Sequence, residues 1–184
     1  MHSKRNLLPI SSLMVLSLAL NEVRAPYSPT LWVLTPDNEK TTLKQCWFPG
    51  DHSAVGGGDS LHGLSDITLA WMVQNITNHT KLEYDLRYLL DSRKTFGQNH
   101  MNTPWACEMW PDSYVGIYKL AGKKPRTPGK YITLAEEQKG SRTNEYIHKS
   151  VFRRTEMMGK AFPHPDLNNL PEDEFGPIEN ALSW

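Results

Sequence analysis

The sequence predicts an α/β fold, and three observations carry that expectation. The segment "LKQCWF", residues 43–48, reads as a short strand ended by Pro49-Gly50; a histidine and three consecutive glycines follow; an apolar helical stripe then begins near Ser65. Strand, loop and helix in that order form the unit from which layered α/β domains are assembled. At 184 residues the chain has room for one domain with its own core.

Charge sets limits on partners. Lys and Arg together number 20, as do Asp and Glu, so no basic surface points to nucleic acid or to an anionic membrane. An apolar fraction of 39% and a mean hydropathy of -0.53 describe a soluble chain with a modest core, and 13 prolines with 12 glycines predict long loops. Cys46 and Cys107 are the only cysteines. Neither lies in a C-x-x-C pattern, so both are read as free thiols, Cys46 as a buried one.

Along the chain, Lys4 and Arg5 followed by "LLPISSLMVLSLAL" have the look of a secretory leader. Pro9 interrupts the run, Pro26 follows the small residue Ala25, and Leu13, Leu16 and Leu20 keep helical spacing, so the segment is expected to be a domain helix. The run falls short of the ~20 apolar residues that span a bilayer, and no transmembrane segment is expected. A cytoplasmic location follows, with secretion as the alternative, in which case the sequons at Asn75 and Asn78 would matter.

"RAPYSPTLWVLTPDNEK" carries three prolines and reads as an extended loop into the strand. Ser65 or Asp66 caps a helix to about Ile76, with Leu69, Met72, Val73 and Ile76 on one stripe and Ile67, Ala70 and Trp71 widening it. "TKLEYDLRYLLDSRK" sets Leu82, Leu86, Leu89 and Leu90 at helical spacing. A long irregular region follows, then a last helix within "TNEYIHKSVFRR". Residues 1–154 are assigned to the domain and 155–184 to an extended or disordered tail.

In an α/β hydrolase the triad histidine occupies a loop beyond the carboxyl end of a late strand, where His52 stands here. "WFPGDHSAVGGG" followed by "LSDITLAWM" resembles the α/β-hydrolase domain of uncharacterised fungal and bacterial proteins and of type VI secretion phospholipase effectors. Its pattern there is W-F-x-G-x-H-S-D-V-G-G-G and then L-S-D-I-x-L-x-W-M. "LALNEVRAPYSPTLW", "DSYVGIYKLAG", "RTPGKY" and "TNEYIHKSVFRR" match in the family's order, so the resemblance runs in islands over residues 18–154.

The resemblance implies that His52 is the general base of a Ser-Asp-His triad, that Gly50, Gly56, Gly57 and Gly58 let its loop fold closely, that the substrate is a lipid or another ester, and that no cofactor is needed. The family's G-F-S-R-G-A elbow and W-D-T-V-G-like segment do not occur in this chain, nor does any G-x-S-x-G. The chain is therefore expected to be the C-terminal part of the hydrolase pattern, with an incomplete sheet that a partner chain would cover and little activity alone. Ala54 stands where the family has an aspartate, and Asn21 replaces another. The rival reading is a non-catalytic remnant that acts as a binding module.

Three local alternatives are weaker. Gly58-Asp59-Ser60-Leu61 spells another esterase signature, but it follows glycines and leads to a helix cap instead of following a strand. Asp51, His52, Asp59, His62 and Asp66 match no compact metal spacing, and the glycines lack a G-K-[ST] ending. His148 is read as structural, and Trp32, Trp47, Trp71, Trp105 and Trp110 as core or loop anchors.

Overall fold

A computed structural model describes residues 12–99, 107–159, 167 and 169–182; Trp105 and the charged start of the leader-like segment lie outside them. Four parallel strands, β1 (Ser12–Ala19), β2 (Thr41–Phe48), β3 (Glu145–His148) and β4 (Glu172–Asp173), form one sheet in the order β1-β2-β3-β4. The class is α/β, as expected.

The segment expected to be the first helix is instead β1. Leu16 and Leu18 face one core cluster while Val15 and Ala19 face the other. A strand covered on both sides reads as an unbroken apolar run, and its leucines fell on helical spacing by coincidence. Register pairs Ser17 with Cys46 and Ala19 with Phe48, so β1 and β2 end level. This sets the residues after Ala19 beside those after Phe48.

Between β2 and β3 come α1 (His52–Gly56), α2 (Gly63–His79), α3 (Leu86–Asn99) and α4 (Leu134–Gln138). On one face of the sheet α2 packs Ile67, Ala70, Trp71 and Val73 against Cys46 and Phe48. Leu69, placed on the buried stripe by spacing, is exposed, and Leu64 takes the inward position. The second leucine-rich helix starts at Leu86, so Leu82 lies outside it and is exposed.

On the opposite face, Val151 of α5 (Lys149–Met158) covers Leu18, Trp47 and Ile147. The stretch expected as one last helix thus divides at His148, with β3 before it and α5 after it. Residues expected in the tail add β4 to the sheet and form α6 (Pro177–Leu182). Ile178 N–H donates to Gln74 Oε1 of α2 at 2.9 Å, and a Cβ on Gly176 would come 2.7 Å from the Gln74 side chain. Both contacts hold α6 to α2. No helix among the described residues is long and apolar enough to cross a membrane.

Candidate functional site: the loop at His52

The chain leaves β2 through Pro49 and Gly50, and Gly50 has φ +117° with its would-be Cβ 2.9 Å from that of Ala54. Only glycine fits so tight a return without strain. Asn21, beyond β1, clamps the same residue: its Oδ1 accepts from Gly50 N–H at 2.8 Å, and its N–H donates to Gly50 O at 2.9 Å. The amide therefore ties the two strand exits together without a carboxylate. Asp51 then caps α1, accepting from Ala54 N–H at 3.0 Å.

His52 is the first residue of α1 and is exposed. Its ring lies 5.1 Å from that of Tyr27, tilted by 51°. Its main-chain N–H donates to Glu22 Oε2 at 3.2 Å, so the nearest carboxylate reaches the backbone of His52. Among the described residues no serine and no carboxylate is hydrogen-bonded to the ring.

Of the glycines that follow, Gly57 has φ +81°, while Gly56 ends α1 with open space around it. A Cβ on Gly58 would meet Ser53 at an ordinary 3.5 Å. A side chain is therefore disfavoured at Gly50 and Gly57 by their positive φ, and at Gly50 by contact as well, whereas Gly56 and Gly58 have room for a Cβ. Ser60 is exposed. Asp59 carries a raised pKa, caused first by burial and then by the charge of Asp51. Among the described residues no three His, Cys, Asp or Glu side chains are grouped as a metal ion would require.

Below the histidine sits a charged and aromatic cluster that composition did not reveal. Arg24 donates to Glu22 through Nε at 2.9 Å and Nη2 at 2.6 Å, and both residues are buried. The guanidinium lies 4.1 Å from the Tyr27 ring centre and 4.8 Å from that of Tyr118. The two phenols share a hydrogen bond of 3.1 Å, which raises the Tyr27 pKa. Burial would raise the Glu22 pKa, but hydrogen bonds from Arg24 and the His52 N–H outweigh it and hold the carboxyl below its ordinary range. The available signal was Glu22-Val23-Arg24, an acid and a base separated by one apolar residue.

A cavity of about 360 Å³ opens at this end of β1, lined by Ser17, Glu22, Tyr27, Ser28, His52 and Arg126 among others. Elsewhere, His148 holds a sealed polar chain. Its Nδ1 lies 2.7 Å from Ser150 Oγ and accepts from Ser150 N–H at 3.3 Å; its Nε2 lies 2.8 Å from Glu179 Oε1. A main-chain N–H only donates, so the ring proton sits on Nε2 and goes to Glu179. The serine, imidazole and carboxylate share the residue order of a hydrolytic triad but with the two ring nitrogens interchanged. All three are buried, and the His148 ring is stacked on Phe48 and meets Phe175 edge-on, so no substrate reaches them.

Residues 3–75 match the family model for the type VI secretion system (T6SS) phospholipase effector Tle1-like catalytic domain, which is under half of the chain. The match includes β1, β2, the His52 loop and most of α2. No curated protein and no solved structure matches the chain.

Proposed function

We propose that His52 is the acid/base histidine of a phospholipase- or esterase-type serine hydrolase domain whose nucleophile elbow is not in these 184 residues. The carrying observation is its placement: His52 follows the carboxyl end of a central parallel strand, beside a cavity, inside the segment that matches the phospholipase family. In that role the imidazole takes the serine proton during attack on an ester carbonyl and returns it to the leaving alcohol. The remainder of an α/β-hydrolase sheet would join at the outer edge of β1, which has no strand neighbour among the described residues. That strand would come from the same polypeptide or from a partner chain.

The test is turnover of p-nitrophenyl esters together with fluorophosphonate labelling. The 184-residue chain is expected to show neither above a His52→Ala control. A longer transcript with an in-frame elbow upstream should encode an active protein that loses at least about 10³-fold on His52→Ala. Turnover insensitive to His52 in that longer protein would overturn the proposal. His52-dependent turnover by the short chain would place the nucleophile within it, with Ser60 the first residue to replace. The exposed ring, bonded to no acid among the described residues, favours one second reading, a non-catalytic binding module. Absence of turnover from the longer protein would select it.

A further inference from the structure

Arg126 is 3% exposed, yet its guanidinium has no carboxylate hydrogen-bonded to it among the described residues. It donates from Nη1 to Lys124 O at 3.3 Å and from Nη2 to Tyr27 O. Guanidinium offers five N–H donors in a planar fork, so two carbonyls leave most of the fork unused. Burial lowers the Arg126 pKa, which is the expected sign of a cation taken from water without an anion beside it.

The groups bearing electrostatically on Arg126 are the Tyr131 phenol, Glu22 and Arg24, the last two of opposite charge. These two neutralise each other, since Arg24 donates to both Glu22 oxygens and the His52 N–H donates to one of them as well. The charge left uncompensated at the cavity is that of Arg126. His52 and Ser17 line the same space and add polar groups suited to oxygen ligands, while the Ser28 hydroxyl, also on the wall, donates to Ala25 O at 2.9 Å. At about 360 Å³ the cavity falls at the small end of ligand sites, which span roughly 300–1,000 Å³.

We propose that Arg126 makes this cavity a binding site for phosphate oxygens, held beside His52. The planar fork suits phosphate, and neither carbonyl partner supplies the charge the site lacks. Two sources share this chemistry: the phosphodiester of a lipid headgroup and free phosphate. The first rests on the hydrolase reading of His52; the second does not.

The experiment is an NMR titration of the full chain, labelled with ¹⁵N, with inorganic phosphate and separately with glycerophosphocholine, a phosphodiester without acyl chains. Glycerol is the neutral control. Saturable shifts of the Arg126 Nε–H and His52 ring signals are expected at about 1–10 mM ligand. Arg126→Gln should weaken binding at least tenfold, and Arg126→Lys should retain part of it. Saturation by phosphate alone assigns free phosphate as the source; saturation by the diester assigns the headgroup; both outcomes support the site. No saturable shift with either probe, or shifts unchanged in a folded Arg126→Gln, would overturn it. Should Arg126→Gln fail to fold, the wild-type Arg126 signal and the lysine variant decide. Ester turnover is not read, so loss of this site leaves the His52 proposal standing, and an inactive longer protein leaves this site standing.

Discussion

Nε2 of His148 donates to Glu179 Oε1 across 2.8 Å, joining the end of β3 to α6 through a bond hidden from solvent. The other Glu179 oxygen accepts from Gly176 N–H at 2.8 Å. One carboxylate thus satisfies a buried ring and a turn.

Truncation of that carboxylate strands both donors. Glu179→Ala should lower unfolding free energy by about 1–3 kcal/mol or more, the penalty for buried groups left unpaired. Hydrogen exchange should show α6 losing protection first. Ser150→Ala should cost only about 1 kcal/mol, because the Nδ1 cap on the Ser150 N–H survives. Fluorophosphonate should leave Ser150 unmodified.

The Glu22 network predicts acid lability near the loop. Since the folded pKa of Glu22 lies below its ordinary value, its contribution is present above the unfolded carboxyl pKa of about 4.3 and is lost as pH falls through the lower folded value. Urea midpoints from pH 7 to pH 3 should therefore fall more steeply for wild type than for Glu22→Gln. At pH 7 the variant should be less stable by about 1–3 kcal/mol. Parallel curves for the two proteins would contradict this assignment.

Alanine replacements should separate the glycines. Gly50→Ala imposes both a positive φ and a 2.9 Å clash with Ala54, so a loss of about 1–3 kcal/mol is expected. Gly56→Ala meets nothing within 4 Å and should change thermal stability little, by about 0.5 kcal/mol in either direction. Thermal melts of the two variants suffice.

The thiols should differ in the same way. Cys46 is fully buried and its pKa is pushed well up by burial and then by Asp173. Cys107 is partly exposed and 3.6 Å from Met157 Sδ. Under native conditions a thiol reagent should modify Cys107 and spare Cys46 until the sheet opens. Prompt modification of both would place Cys46 wrongly.

Legibility in the sequence followed burial geometry. β2 was readable because Pro49-Gly50 marks its end, and α2 because Leu69, Met72, Val73 and Ile76 recur at helical spacing, although of these four only Val73 is buried and Leu69 is exposed. β1 was not, since apolar cover on both faces erases the alternation that marks a strand. β3 spans four residues and runs straight into α5, so the two merge into one apparent helix. β4 consists of Glu172 and Asp173, with no apolar signal at all. At the candidate site, the family-like motif drew attention to His52, and the structure sets it just beyond β2 beside a cavity. The bond from Glu22 to the His52 main chain, and the approach of Arg126 to the same cavity, were not legible, because no local spacing encodes contacts across 30 or 74 residues.

The imidazole of residue 148 waits for a carboxylate that follows it by 31 positions. During vectorial synthesis the first three strands leave the ribosome before that carboxylate does. Until it arrives, Nε2 of that ring lacks its protein acceptor. This interior can therefore be completed only once residue 179 has joined it, whatever the apolar segments have done before.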